Sequence, residues 1–222
     1  MSDNGREGEA PAEPPIISAA RQEPRPPVSG LVAVLFALER EATPFRLAAR
    51  DLSHVSVHVS GVGRHRARTL AGEAVASRPA LVVAAGFCGA LDPALKVGDV
   101  VTSPHILTVD HLVANPAEKR RLAELHGALA VDMESAAVAE VCAERGVPFL
   151  AVRAVSDTVD TALSPELVRL LSGGNVSTWR AVRALVRKPS LLGEFRRLAR
   201  DTKIAARNLA RELVDLVGAR RV

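Results

Sequence analysis

The sequence predicts an α/β fold, a central sheet flanked by helices. Three observations carry that reading. Continuous apolar runs recur along the chain, as in strands buried on both faces. Stretches with helical spacing separate them, which is the α/β alternation. Polar groups then follow the apolar runs at their carboxyl ends, where open α/β sheets bind ligands.

In chain order, residues 1–29 hold six prolines and no periodic pattern, and are read as a disordered arm. LVAVLFAL (31–38) is the first buried strand. HVSVHVS (54–60) alternates, with Val55, Val57 and Val59 on one side, the pattern of a half-buried strand. His54 and His58 lie four apart on that strand, not on a helix, so they are discounted as a metal pair. SGVGRHRARTLAGEAVA is a glycine turn leading into a helix at about 63–77. ALVVAAG (80–86) is a second buried strand, ending in the Gly-rich turn GFCGAL. KVGDVVTS and ILTVDHLV read as further strands, and PAEKRRLAEL as an exposed helix. GALAVD leads into a helix from Met133, and VPFLAVRAVSD (147–157) is another buried strand. After Thr158 the pattern is helical: SPELVRLLSG, STWRAVRALVRK and LLGEFRRLARDTKIAARNLARELVDLV carry apolar stripes, with Arg on the other faces.

Composition narrows the class. Hydrophobic content of 48% excludes wholesale disorder, and 3% aromatics with no Tyr leaves a core of Ala, Val and Leu. No apolar run approaches the roughly 20 residues of a membrane span, and the acidic, Pro-rich start does not read as a leader. The two cysteines, Cys88 and Cys142, sit in apolar or Gly/Ala-rich surroundings, which predicts a reducing cytoplasm. From residue 176 onward there are twelve Lys/Arg and four Asp/Glu, so the basicity belongs to a tail. The expected organisation is an arm at 1–29, an α/β domain at 30–175 and a basic amphipathic helical tail at 176–222. Such a tail packs on the domain or a partner chain, or lies on an anionic membrane surface. No aromatic-rich stacking surface accompanies its charge, so nucleic acid is not an expected partner. No ligand cluster has metal-site spacing, so no metal or organic cofactor is expected.

Four strand ends carry candidate chemistry: Glu39 and Glu41 after the first strand, GFCGAL (86–91), Asp132-Met133-Glu134, and Ser156-Asp157. Glu134 stands out because it shares a helical face with Ala137, Val138 and Val141. The structural alternative makes Asp132 an N-cap and Glu134 an acid suited to the first turn of a helix. Acids at three separate strand ends instead suggest carboxylates converging on one site and tuned to different protonation states.

These residues resemble the nucleoside phosphorylase/nucleosidase superfamily, and within it the methylthioadenosine/S-adenosylhomocysteine nucleosidases. The matching pieces are FALEREA (36–42), SGVGRHRA (60–67), AAGFCGALDPALKVGDVV (84–101), AVDMESAAVAEVC (130–142) and VPFLAVRAVSD (147–157). The resemblance implies a single-domain nucleoside phosphorylase-like fold with a twisted, mixed central sheet. It implies that Glu41 positions or deprotonates the attacking water and that Glu134 grips the ribose hydroxyls beside Met133. Asp157 then protonates, or shares a proton with, N7 of the leaving purine, supported by Ser156 and Arg153. Cys88 and Gly89 line the sugar or nucleophile side, and Leu112 and Val113 lie on the strand that meets the purine. The reaction expected is release of adenine from an adenosine-type nucleoside by water or by phosphate. GFCGAL carries no Arg and Glu41 repels phosphate, which favours water, whereas Arg64 and Arg66 keep phosphate open. The family forms dimers or larger rings, so a homo-oligomer is expected.

Two departures bear on the substrate. The stretch between VGDVV and AVDMES is much longer in the nucleosidases, which implies either a more open pocket or a damaged one. The basic helices after the SD strand resemble the hopanoid-biosynthesis-associated phosphorylase branch, which implies a 5′-modified or lipid-linked adenosine at the inner membrane surface. The competing expectation is a catalytically degenerate nucleoside-binding protein.

Overall fold

The computed structural model describes residues 30–171 and 191–218. The arm expected over 1–29 and the helix expected over STWRAVRALVRK lie outside the described residues.

The described chain is an α/β structure built on one mixed sheet of seven strands. β1 (Val32–Phe36) pairs in parallel with β2 (Val55–Val59) and with β3 (Leu81–Ala90), and β3 pairs in parallel with β7 (Phe149–Asp157). β4 (Val100–Thr102) runs antiparallel to β7, and β5 (Ile106–Thr108) runs parallel to β6 (Ala130–Asp132). β6 pairs antiparallel with the far end of β3, through Gly89 opposite Val131. β1 is buried along its whole length, as its unbroken apolar run requires.

The helices cover both faces. α2 (Arg64–Ala76) and α4 (Ser135–Glu144) pack together on one side, where Ala67, Ala71, Val75, Val138 and Val141 meet Ala33, Val82 and Ala84 of the sheet. α1 (Glu39–Ala48) and the long C-terminal helix, α6 (Leu191–Gly218), cover the other. α3 (Pro116–His126) starts at Asn115, whose side chain accepts from Ala117 N at 2.8 Å, and stops at Gly127 with φ 61°, a conformation that favours glycine. The short α5 (Pro165–Leu171) follows β7.

The described part of the basic tail belongs to the domain core. Leu209, Leu213 and Val217 of α6 are buried against Val34, Phe36 and Phe45, each such side chain contributing on the order of 1.5–3 kcal/mol. Asn208 also donates to Gly98 O at 2.9 Å. The hydrophobic stripe of a helix needs a surface to cover, and here the sheet supplies it.

Several elements differ from the sequence reading. GFCGAL is not a turn: β3 runs on through Ala90, because β7 and β6 pair with it to the end. ILTVDHLV is strand only over Ile106–Thr108. α4 begins at Ser135, with Glu134 as its N-cap residue. α3 is not wholly solvent-facing, since Lys119 is fully buried.

Candidate active site

A cavity of about 600 Å³ opens at the carboxyl ends of β1, β3 and β7, within the range of roughly 300–1,000 Å³ typical of small-molecule sites. Eight of the residues given site roles by the resemblance line it, Glu41, Cys88, Gly89, Leu112, Met133, Glu134, Ser156 and Asp157, together with the strand-end acids Glu39 and Asp132. Val113 does not. Its side chain is buried with Leu91 and Val131, turned away from the wall that Leu112 lines. Leu198 and Thr202 of α6 add a wall that sequence reasoning did not assign to the site.

One side of the cavity is organised around Arg153, fully buried in the middle of β7. It pairs with Asp132 at 2.5 Å and lies 4.0 Å from Glu134. Asp132 also accepts from Ser135 N at 3.0 Å and Ser135 Oγ at 2.5 Å, tying the first turn of α4 to the arginine. Glu41 hangs from β3 and α1 by two backbone donors, Phe87 N at 3.0 Å and Leu38 N at 2.9 Å. Gly86 makes the approach possible: a Cβ there would collide with the Arg153 guanidinium and lie 3.2 Å from the Glu41 carboxylate. Glu134 reaches this group because β6 runs antiparallel to β3 and carries the chain back past it. Its carboxylate accepts from Gly63 N at 3.1 Å, so the glycine turn of SGVGRHRA also holds a site acid.

Three buried carboxyls around one guanidinium cannot all ionise freely. Burial raises Glu41 to about 7, opposed by Arg153 and the two backbone hydrogen bonds. Burial also raises Glu134, again opposed by Arg153. Cys88 is only 4% exposed, and burial pushes its thiol far up. It is a protonated wall residue, not a nucleophile.

The other side is built on a β-bulge. The pairing of β3 with β7 shifts after Cys88–Val155, so that Gly89 faces Asp157 and Ser156 is the extra residue. Bulges re-aim side chains, and this one turns both Ser156 and Asp157 to the cavity. Ser156 Oγ lies 2.9 Å from Asp157 Oδ1 and 3.2 Å from Cys88 O. Asp157 Oδ2 is taken by the Lys119 ammonium. Arg153 therefore does not support Asp157; it serves the opposite side, and Lys119 does the supporting.

Of the two arginines beside the glycine turn, Arg64 pairs with Glu140 on the surface at 2.5 Å. Arg66 stands at the cavity wall. Among the described residues no group of three His, Cys, Asp or Glu is placed to hold a metal ion, and no helix is long and apolar enough to cross a membrane.

The chain is similar to known proteins in sequence and in fold. A family model described as the phosphorylase superfamily matches residues 40–107 and 105–177. A 5′-methylthioadenosine/S-adenosylhomocysteine nucleosidase of Staphylococcus aureus (strain MRSA252) is 23% identical over 225 residues, 70% of this chain and 99% of the relative. The Helicobacter pylori 5′-methylthioadenosine/S-adenosylhomocysteine nucleosidase with butyl-thio-DADMe-Immucillin-A has a similar fold. It matches at a TM-score of 0.64 and 17% identity, covering 86% of this chain and 98% of that one. The futalosine hydrolase of Helicobacter pylori aligns at 0.61 and 16% identity, over 86% and 98% of the two chains.

Proposed function

The chain belongs to the phosphorylase superfamily, and from that premise we propose that it hydrolyses the N-glycosidic bond of an adenosine-type nucleoside and releases the base. One observation carries the reading: a buried carboxyl held up to about 7, Glu41, shares a cavity with a second acid, Asp157, that stands in a different electrostatic setting. Two acids in such different settings are the means by which one site runs acid and base chemistry together. Both are set against β3, Glu41 accepting from Phe87 N and Asp157 standing opposite Gly89 across the bulge.

In this reading Glu41 takes the proton of the attacking water, and Glu134 and Met133 hold the sugar. Asp157, hydrogen-bonded to Ser156, delivers a proton to the leaving purine, with Leu112 against the base and Cys88 and Gly89 as wall. The transition state is a sugar cation, and the carboxyls around Arg153 favour charge of that sign. The same carboxyls disfavour a bound phosphate, which supports water as the nucleophile. Among the residues near Glu41, the one buried cation is already paired with Asp132. The lip formed by Leu38, Leu163 and Leu198 suits an apolar 5′ substituent, and a lipid-linked adenosine belongs among the substrates tried. The names of the solved relatives support the reaction class, since the relatives of known activity above are nucleoside hydrolases.

The test is adenine release from methylthioadenosine, adenosine and an adenosylated hopane lipid, each with and without phosphate, beside an Asp157→Asn variant. We expect phosphate-independent release from at least one, reduced at least ~10²-fold in the variant. Nucleoside binding without release from any of the three would replace this reading with a binding protein.

A further inference from the structure

Lys119 holds Asp157 in place, yet the functional reading gives its ammonium no part in the chemistry. It is 0% exposed, although Arg120 and Arg121 beside it face solvent. Its ammonium donates to Asp157 Oδ2, to Thr158 O at 2.8 Å and to Thr161 O at 3.4 Å. An ammonium has three donors, and all three are committed. Asp157 in turn accepts from Lys119 on one oxygen and from the Ser156 hydroxyl, 2.9 Å away, on the other. A hydroxyl has one proton, and Ser156 Oγ also lies 3.2 Å from Cys88 O, so the Lys119 ammonium is the proton-rich neighbour of Asp157. A purine that must leave with a proton can therefore obtain it through the pair.

Resting on the nucleoside-hydrolysis reading, we propose that Lys119 is a positioning residue that supplies, through Asp157, the proton carried away by the leaving base. As the bond from the sugar carbon to the base nitrogen breaks, its electron pair passes into the base. Asp157 gives a proton to a ring nitrogen and takes one from Lys119, leaving a neutral amine. Water forms the new bond to the sugar carbon and gives its proton to Glu41. After release of products, Glu41 returns that proton to solvent, and Lys119 regains one from solvent through Asp157.

The arrangement has the features this role requires. Lys119 does not line the cavity, whereas Asp157 does, so the amine acts only through the carboxylate. Gly89 opens the space between them: a Cβ there would sit 3.2 Å from Asp157 Oδ2 and 3.6 Å from Lys119 Cε. The bonds to Thr158 and Thr161 hold the amine on the loop that follows Asp157, so the donor and its acceptor move together. Lysine, unlike arginine, can release its proton, and an arginine would satisfy the charge of Asp157 equally well.

Lys119→Met and Lys119→Arg separate these roles on two substrates. An adenine nucleoside needs a proton on its leaving group; 4-nitrophenyl riboside does not, because its phenolate leaves unaided. We expect both variants to lose ~10²-fold or more in kcat for adenine release, to change KM by less than about threefold, and to cleave the nitrophenyl riboside within about threefold of wild type. Full adenine release by Lys119→Arg would show that charge alone suffices, and would overturn the proposal. So would equal losses on both substrates in both variants, whatever their origin, because Lys119 would then be structural. Wild-type protein that cleaves neither substrate overturns the hydrolysis reading itself, an outcome distinct from either variant result.

Discussion

The two sides of the cavity solve the same problem with different charge ratios. On one, Arg153 faces Asp132, Glu134 and Glu41; on the other, Lys119 faces Asp157 alone. A single cation among three carboxyls leaves an acid short of compensation, and burial raises Glu41 to about 7. A one-to-one pair leaves no such deficit. The contrast teaches that counting acids does not identify the base. The cation each acid shares, and with how many others, decides which one keeps a proton near neutrality.

The strongest way to break this comparison is to remove ionisation from the deficit side. Glu41→Gln keeps the shape and can still accept one of the two backbone hydrogen bonds, but it cannot take a proton from water. We expect kcat to fall by ~10²–10⁴-fold. Thermal melting at pH 8 should be no lower than wild type, because an uncompensated buried charge has been removed. A variant that keeps a tenth or more of wild-type kcat would show that the base lies elsewhere.

Removing the shared cation has the next largest effect. Arg153→Met leaves Asp132, Glu134 and Glu41 buried and unpaired, a change that typically costs about 3–5 kcal/mol. Urea unfolding at pH 8 should show it, and the deficit should shrink at pH 5 as the raised carboxyls take up protons. A loss below about 1 kcal/mol, or no recovery at low pH, would mean that the three acids are not coupled through this guanidinium.

How much of this was readable beforehand follows from what each residue's neighbours are. β1, β3 and β7 were readable because both their faces are covered and their residues are mostly apolar. The three-residue β6, by contrast, read only as a lead into a helix, is too short for a pattern. Glu41, Glu134 and Asp157 were found as acids at strand ends, and the chain brings them to one cavity. GFCGAL was misread because small residues suit a turn and a crowded strand equally, and only the pairing of β6 and β7 with it distinguishes them. The bulge at Ser156 depends on register, which no local pattern records. The partner of Arg153 depends on the antiparallel return of β6. Lys119 was missed although its signal was present: it falls three and four residues before Leu122 and Ala123, which pack inward, the same spacing that drew attention to Glu134. Its place in a run of four charged residues, EKRR, hid an inward-facing cation among outward-facing ones.

The smallest effect is the most direct measure of the deficit. Glu41 must be ionised to accept a proton, so kcat/KM should rise with pH through about 7, falling about tenfold per unit below that value. The linkage to stability has the opposite sign. Between the ordinary carboxyl value of 4.5 and about 7, the folded protein holds a proton on Glu41 that the unfolded chain has released. The unfolded state then binds fewer protons, so this group's contribution to stability declines as pH rises across the window and is level above it. Activity and stability should therefore run against each other from pH 4.5 to 7, and Glu41→Gln should remove this group's share of the decline, leaving the part that Glu134 contributes. Wild-type kcat/KM that is flat from pH 5 to 8 would remove Glu41 as the base. Activity that rises through about 7, while the melting profiles of wild type and variant stay parallel, would put the ionisation on another group of the Arg153 side, and Glu134, also raised by burial, would be the residue to replace next.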